Sequence, residues 1–453
     1  MNGANHWAWV WRVAFTAGWL GIAAGCAFPT PKPTGRPPIE EPASVIGGDA
    51  EALIATGFTA YDPDHQKHMA RYGRRLAALA TSLARIQATG NDMACSTQIY
   101  LEAVWLYRYR ADWERLDRQL SRLNTSLNNP DQLFALAQSP EDGRWGICYD
   151  EWFMRAEATL GALDELYDEG RLPRHPVELS GRFRTPTELR AYLDELLVSD
   201  IGATGRDNRG ELGNLTTTLT SSFFKAYLRT YLRQVFGSGR SSQNADLQSS
   251  FESMYDDFLH RWQDPMTGYW GAWYRSDGKI YKTADLGITY HTIAYRRGQV
   301  DHWPEIIETT LRIKNDPYPY GWLHDGHFDN HNNYDVARIL LYGWPHMSTS
   351  QRRQAAASIK EMLDWTLERS LDPDGSFKTD PTSFSSVSAD YYFGVSFLAE
   401  IGFWNQGKRF WTNSGFPGAA NVCRLIRARM LELKLKDPQA RHALVRLDES
   451  CGS

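Results

Sequence analysis

An all-α fold is what this sequence of 453 residues predicts, and three observations point to it. Apolar residues recur at spacings of three and four, no stretch sustains the alternation of a half-buried strand, and turns rich in Asp, Pro and Gly punctuate the runs. "HQKHMARYGRRLAALATSLARIQ" sets Met69, Tyr72, Leu76, Leu79, Leu83 and Ile86 near one helix face. "STQIYLEAVWLYRYRADWERLDRQLSRLN" reads as the next helix, with Ser96 as its cap. Further helical runs are expected at 149–168, 187–197, 215–235, 245–262, 285–297, 303–314, 333–342, 350–369, 388–402 and 418–434. "DPMTGYWG" from Asp264 and "DPDGSF" from Asp372 each follow such a run and turn before an aromatic residue. Stacked helical hairpins suit this pattern, and their natural closed form is an α/α toroid, an incomplete barrel of about six or seven hairpins.

The first 25 residues have one early positive charge, Arg12, then an apolar stretch and small residues, as a secretory leader does. "GIAAGC" resembles a bacterial lipoprotein cleavage site with Gly25 before Cys26, although Ala23 stands where Leu is usual. The resemblance implies a lipidated Cys26 and an exported chain, periplasmic or at the cell surface, held by its lipid to the outer membrane. Residues 26–48 form a Pro-rich tether, and 49–453 a single catalytic body. No Cys-x-x-Cys pair occurs, and the other four cysteines suit the disulfides Cys95–Cys148 and Cys423–Cys451.

Hydrophobic residues make up 42% and charged residues 23%, which fits a globular body and excludes disordered and multi-span membrane classes. The net charge of −5 argues against nucleic acid as a partner. The aromatic surplus, 17 Trp and 22 Tyr, either fills space between helices or stacks against sugar rings. Tyr269, Trp270 and Trp273 crowd one Gly-containing loop, followed by Lys282, Tyr290 and His291. Tyr391 stands at a later helix start. All are candidates for substrate contact or, for His291, catalysis.

"FDNHNNYDVARI" is denser still in polar groups. Asn332 or Asn333 can cap a helix starting near Tyr334, and Asp335 suits its positive end. One cap needs one such residue. His331 and Tyr334 are left over, and they form the pair of types that moves protons near neutral pH. His324, His327 and His331 could instead converge on a divalent metal, although Gly326 favours a loop there and no cofactor is required by the rest of the pattern. Upstream, Arg206, Asn208 and Arg209 offer a clamp for substrate carboxylates.

A glycoside hydrolase needs two carboxylates across the scissile bond, and none of the available aspartates is marked by a motif. A lyase that abstracts a proton beside a uronate carboxylate needs a neutralising group, a base and an acid, which this block supplies. "ITYHTIAYRRG", "YGWLHDGHFDNHNNYDVARI" and "SADYYFGVSF" resemble the α/α-toroid polysaccharide lyases of the bacterial glucuronan and alginate group. The resemblance implies β-elimination on a 4-linked uronate glycan. The roles assigned to it are Tyr334 as acid and alternatively also as base, His291 or His331 as base or orienting partner, and Asn332 or Asn333 with Arg209 as neutraliser. The competing readings are a toroidal hydrolase and a glycan-binding surface lipoprotein that is not an enzyme. The expected state is a monomer.

Overall fold

The computed structural model describes residues 42–61, 64–87, 89, 93–128, 138–168, 170–175, 183, 185–224, 243–324, 328–379, 387–435 and 438–451. The leader, Cys26 and most of the tether lie outside the described residues. The fold is mostly helical, with one small four-stranded sheet. No helix among the described residues is long and apolar enough to cross a membrane.

In chain order the helices are α1 Gly48–Tyr61, α2 His65–Gln87, α3 Ala94–Trp105, α4 Trp113–Leu127, α5 Trp152–Asp168, α6 Pro186–Leu197, the short α7 Ile201–Thr204 and α8 Arg209–Phe224. The second half continues with α9 Gln243–Trp262, α10 Leu286–Tyr295, α11 Trp303–Arg312, α12 His331–Gly343, α13 Thr349–Trp365, α14 Val387–Glu400, α15 Ala419–Leu433 and α16 Pro438–Cys451. The expected runs match α5, α6 and α8 to α15 apart from their ends, while α1, α7 and α16 were not expected.

The helices of the second half are of two kinds. Every residue of α10 from Leu286 to Tyr295 is buried, as are Asn333–Leu340 of α12 and Ser388–Leu398 of α14. The buried residues of α13 (Ala355, Ile359, Met362, Leu363) and α15 (Ala419, Cys423, Ile426, Met430) instead recur every three or four positions, one face in and one face out. The enclosed helices are neighbours in space: α8 packs on α10, α10 on α12 and α12 on α14, and α14 packs in turn on α16, which has an exposed face. The intervening α11 and α13 pack on α12, and α15 packs on α16.

Two differences from the sequence expectation bear on the site. The single helix expected over 96–124 is broken: α3 runs into a π-helical turn, Leu106–Arg110, then Ala111 takes φ of 50° and Asp112 caps α4 by accepting from the Arg115 backbone N–H. Apolar spacing runs straight through this break, so periodicity alone misses it. Ser96 is not a cap; its hydroxyl is buried and meets the Ser126 hydroxyl at 2.6 Å.

The sheet was also not expected. Trp273–Ser276 (β3) and Lys279–Thr283 (β4) form an antiparallel hairpin across Asp277 and Gly278, both at positive φ, the Asp-Gly pair that a tight hairpin turn selects. Ala43–Val45 (β1) adds in parallel to β4, and Val198–Ser199 (β2) in parallel to β3. The two Asp-Pro turns, by contrast, fold alike as read: Gly268 and Gly375 take φ of 71° and 87°, with Gly268 and Gly375 N–H bonded back to the Asp264 and Asp372 carbonyls. Cys95 is bonded to Cys148 across a sequence separation of 53, and Cys423 is also disulfide-bonded.

Candidate active site

The N-terminal end of α12 is the centre of the polar region. The helix begins at His331, earlier than expected, and Asn330 occupies the cap position without a side-chain cap bond. Asp329 serves instead, its Oδ1 accepting from the His331 backbone N–H at 3.0 Å. Asn333 is buried and donates to Asn330 Oδ1 at 2.9 Å and Thr366 Oγ1 at 3.3 Å. Asn330 in turn donates to Ser370 Oγ at 2.9 Å, and Ser370 donates to the Phe328 carbonyl at 2.6 Å. These bonds tie the start of α12 to the π-helical turn Thr366–Ser370 that ends α13. Two asparagines of the opening run therefore hold backbone in place, which removes Asn333 as a free neutraliser. Asn332 is half-buried at the same helix start.

His331 and Asp335 lie one helical turn apart and face each other, with Nε2 at 3.5 Å from Oδ2. The His331 side chain is 12% exposed, and that of Asp335 is fully buried. Burial pushes the His331 imidazole down to about 3, helped by the positive charges of Arg209 and Arg108. Burial also holds the Asp335 carboxyl well above its ordinary range, against the pull of Arg338. The imidazole is thus neutral near pH 7. Asp335 lies beyond the first turn of the helix, so it does not supply the counter-charge expected at the helix end. The Tyr318 ring stands 5.3 Å from His331 on one side and Phe393 4.5 Å on another. Tyr318 is half-buried, and burial together with the nearby Asp335 keeps its hydroxyl protonated.

His291 lies inside α10, fully enclosed beside the rings of Tyr290 at 5.3 Å and Tyr295 at 6.0 Å. Burial, followed by the charges of His331 and Arg209, holds it well below its ordinary pKa. It supports the cluster from behind, further from solvent than His331.

Arg209, the first residue of α8, does not form the expected clamp. Its Nε and Nη2 bind both oxygens of Asp285 at 2.5 and 3.3 Å, and its Nη1 donates to the Tyr109 hydroxyl at 2.5 Å. Asp285 also caps α10 by accepting from the Ile288 N–H at 3.0 Å. The fork is therefore spent on joining the starts of two enclosed helices to the first π-helical turn. Arg206 is exposed, and Asn208 is half-buried with its backbone N–H on Ser199 Oγ at 2.8 Å.

The aromatic candidates separate by burial. Tyr269 is fully buried with its hydroxyl 2.8 Å from Thr310 Oγ1, and Trp270 donates from Nε1 to the Leu259 carbonyl at 2.9 Å. Tyr391 is buried with its hydroxyl on the Gly375 carbonyl at 3.3 Å, and Tyr290 is fully enclosed. None of these four offers a face to a sugar, because the helices around them claim both sides of each ring. Trp273 differs. It is half-buried on β3, opposite Lys282 on β4, whose ammonium lies 5.1 Å from the indole centroid.

Tyr334 is likewise fully buried. Its ring lies between the guanidinium groups of Arg338 at 5.5 Å and Arg446 at 5.7 Å, beside Tyr290 at 5.8 Å and Tyr392 at 6.3 Å. Arg338 is itself fixed on both oxygens of Glu400, at 2.8 and 3.1 Å. An acid for a polymeric substrate must reach the leaving oxygen, and a hydroxyl in this position reaches only other side chains.

Of the three histidines that could have met on a metal, His327 lies outside the described residues, and His324 stacks on Trp365 at 3.9 Å. No group of three or more His, Cys, Asp or Glu that could hold a metal ion occurs among the described residues. Sequence reasoning passed over Tyr318, in "YPYGW", and Arg108, in the π-helical turn. A Tyr-Pro-Tyr-Gly run before a polar block was a turn signal that could have flagged the first; helical periodicity concealed the second. The chain matches no protein-family model, no curated protein and no solved structure.

Proposed function

We propose that this chain is a polysaccharide lyase acting on a 4-linked uronate glycan of the glucuronan or alginate kind. The observation that carries the reading is the placement of His331 at the half-buried start of an otherwise enclosed helix, with the Tyr318 ring 5.3 Å away and Asp335 one turn further on. An imidazole to take a proton and a phenol to give one are the two groups that such an elimination needs. In the reaction His331 removes the proton on the carbon next to the uronate carboxylate. The electron pair of that C–H bond forms the double bond to the neighbouring carbon, whose bond to the glycosidic oxygen breaks. Tyr318 gives its proton to that leaving oxygen, and solvent restores both groups. Asp335 orients His331, and Asn332 meets the substrate at the helix start.

The succession α8, α10, α12, α14 and α16, each packed on the next and enclosed by alternate helices, is what the inner ring of an α/α toroid would present. In this architecture the starts of the inner helices, with Arg209, Asp285 and His331, gather at one end, where a glycan would lie across Trp273 and Lys282. The same reading makes the chain an exported monomer anchored to the outer membrane through Cys26, with an anionic polysaccharide and no nucleic acid as partner.

One feature favours a hydrolase instead: neither oxygen of the buried Asp335 accepts a hydrogen bond from a described residue, and burial holds its carboxyl well above the ordinary range, the direction a glycosidase acid needs. The nearby Asp285 has both oxygens on Arg209, which leaves it poorly placed as the second carboxylate. Full-length protein incubated with glucuronan and alginate should release products absorbing in the ultraviolet from the new double bond. New reducing ends without that absorbance would establish hydrolysis. Retardation of the protein in a gel containing the polymer, with neither product, would establish a binding protein.

A further inference from the structure

The two faces of the β3–β4 hairpin differ. On one, Tyr274 is buried and donates from its hydroxyl to Asp207 Oδ1 at 2.9 Å. Its neighbours along the strand, Trp273 and Arg275, therefore point to the other face. Lys282 stands directly opposite Trp273, with its ammonium 5.1 Å from the indole centroid, and both side chains are partly exposed. Arg275 is paired with Asp200 at 3.5 Å. On the far side of Lys282, Ser44 of β1 donates from its hydroxyl to Asp264 Oδ2 at 2.6 Å. Among the described residues no carboxylate lies within ion-pair distance of the Lys282 ammonium, so its charge is left to the indole and to solvent.

The hairpin is joined by backbone to the candidate site. Thr283 and Ala284 lead from Lys282 to Asp285, the cap of α10, and Leu286 then donates from its N–H to the carbonyl of Pro319, the residue after Tyr318, at 2.9 Å. At the reach of an extended chain, the four steps from Lys282 to Leu286 span at most about 14 Å. No ring contact or hydrogen bond joins Trp273 or Lys282 to His331 or Tyr318. The indole and ammonium thus lie beside the reacting pair and not within it.

We propose that Trp273 and Lys282 form a subsite for an acidic sugar beyond those that flank the broken bond, the indole stacking on its C–H face and the ammonium pairing with its carboxylate. The subsite rests on the lyase reading for the cleavage it serves but not for the binding itself. A neutral sugar offers the flat apolar face without the charge, and a small anion the charge without the face; a uronate offers both. The ammonium sits on a flexible four-carbon stem, so it can leave the ring for a carboxylate.

The test uses full-length wild type, Lys282→Ala, Lys282→Arg, Trp273→Ala and Trp273→Tyr on a polyuronate, read by ultraviolet absorbance and by retardation in gels that hold the polymer. Each alanine variant should raise KM about tenfold, the size of one charged or aromatic contact. Each should keep kcat within about twofold, because a group remote from the reacting atoms binds substrate and transition state alike. Lys282→Arg and Trp273→Tyr, which keep the charge and the ring, should recover most of the loss. A fall in kcat at unchanged KM, no change in either constant, or Arg and Tyr variants as weak as the alanine ones would overturn the proposal. Raising salt should narrow the gap between wild type and Lys282→Ala; a gap that salt leaves unchanged would overturn the pairing with a carboxylate. If wild type yields no unsaturated product, the lyase reading fails; weaker retardation of both alanine variants than of wild type would then still uphold the subsite, and equal retardation would overturn it. A wild type that the polymer does not retard, and that does not cleave it, overturns both.

Discussion

Two buried polar clusters in this protein can be set side by side. In the N-terminal half, Glu102 of α3 and Glu151 before α5 share one guanidinium, that of Arg115 on α4. Glu102 also accepts from Gln119 Nε2 at 3.1 Å and from the Asp150 N–H at 2.8 Å. Burial raises both carboxyls, Glu102 to about 7 with the charge of Asp150 adding to it, and Glu151 to about 9 with that of Glu102. Around His331 burial acts in the same way, on a histidine in one direction and on Asp335 in the other. The difference is access. Both glutamates are completely enclosed, whereas the His331 side chain is 12% exposed and has half-buried Tyr318 and Asn332 beside it. Displaced pKa values mark both places; only a polar cluster with an open edge can meet a substrate.

The largest effect that would sharpen this contrast is on turnover. His331→Gln should lower kcat/KM by about a thousandfold, the scale of a lost general base, with the melting temperature nearly unchanged. Activity within tenfold of wild type would place the chemistry elsewhere. Next in size, Arg115→Met strands two buried carboxylates and should cost about 3–5 kcal/mol in denaturant unfolding. A cost below about 1 kcal/mol would mean that the enclosed cluster is not held by its cation.

The pH dependence of stability should run in opposite senses in the two clusters. Raised carboxyls keep their protons in the folded state while the unfolded chain loses them, so Glu102 and Glu151 reduce stability as pH rises from 4.5 toward about 7 and about 9. His331 is depressed, so the unfolded chain gains the proton first and stability falls as pH drops from 6.5 toward about 3. Each group contributes a slope of up to about 1.4 kcal/mol per pH unit within its window. Glu151→Gln should flatten the alkaline side of a denaturation series and His331→Phe the acid side. An effect of either variant on the opposite side would show that the two clusters are not independent. The acid limb of kcat/KM that belongs to His331 should likewise lie well below pH 6.5.

The smallest effect concerns Tyr334. Tyr334→Phe should keep activity within about tenfold and cost about 1 kcal/mol of stability, the loss of one buried hydroxyl interaction. Tyr318→Phe, in contrast, should remove most turnover. The reverse order in kinetic assays would return the acid role to Tyr334 and require it to become exposed during the reaction.

Much was legible without coordinates. Helices with one buried face, such as α13 and α15, announce themselves through spacing, because solvent on the other face imposes the alternation. The turns at Gly268 and Gly375 follow from local backbone needs, as does the pairing of Cys95 with Cys148 from proximity along the chain. The crowding of His331, Asn333, Tyr334 and Asp335 coincides with a buried polar cluster at the start of a helix. What each does there was not readable, since the asparagine bonds to Thr366, the rings and cations around Tyr334, and the Arg209 fork on Asp285 all come from distant parts of the chain. The hairpin at Asp277–Gly278 had its turn signal, but short strands with mixed aromatic and basic side chains lack a clear alternation.

The sequence by itself determined where helices form, where the chain turns and which stretch is over-supplied with polar groups, because those properties depend on neighbours within a few residues. Only the tertiary structure decided which tyrosines, histidines and arginines are enclosed and which stand partly exposed. Burial is imposed by the packing of helices far apart in sequence, and it sets both the protonation state of His331 and the difference in access between Arg209 and Arg108.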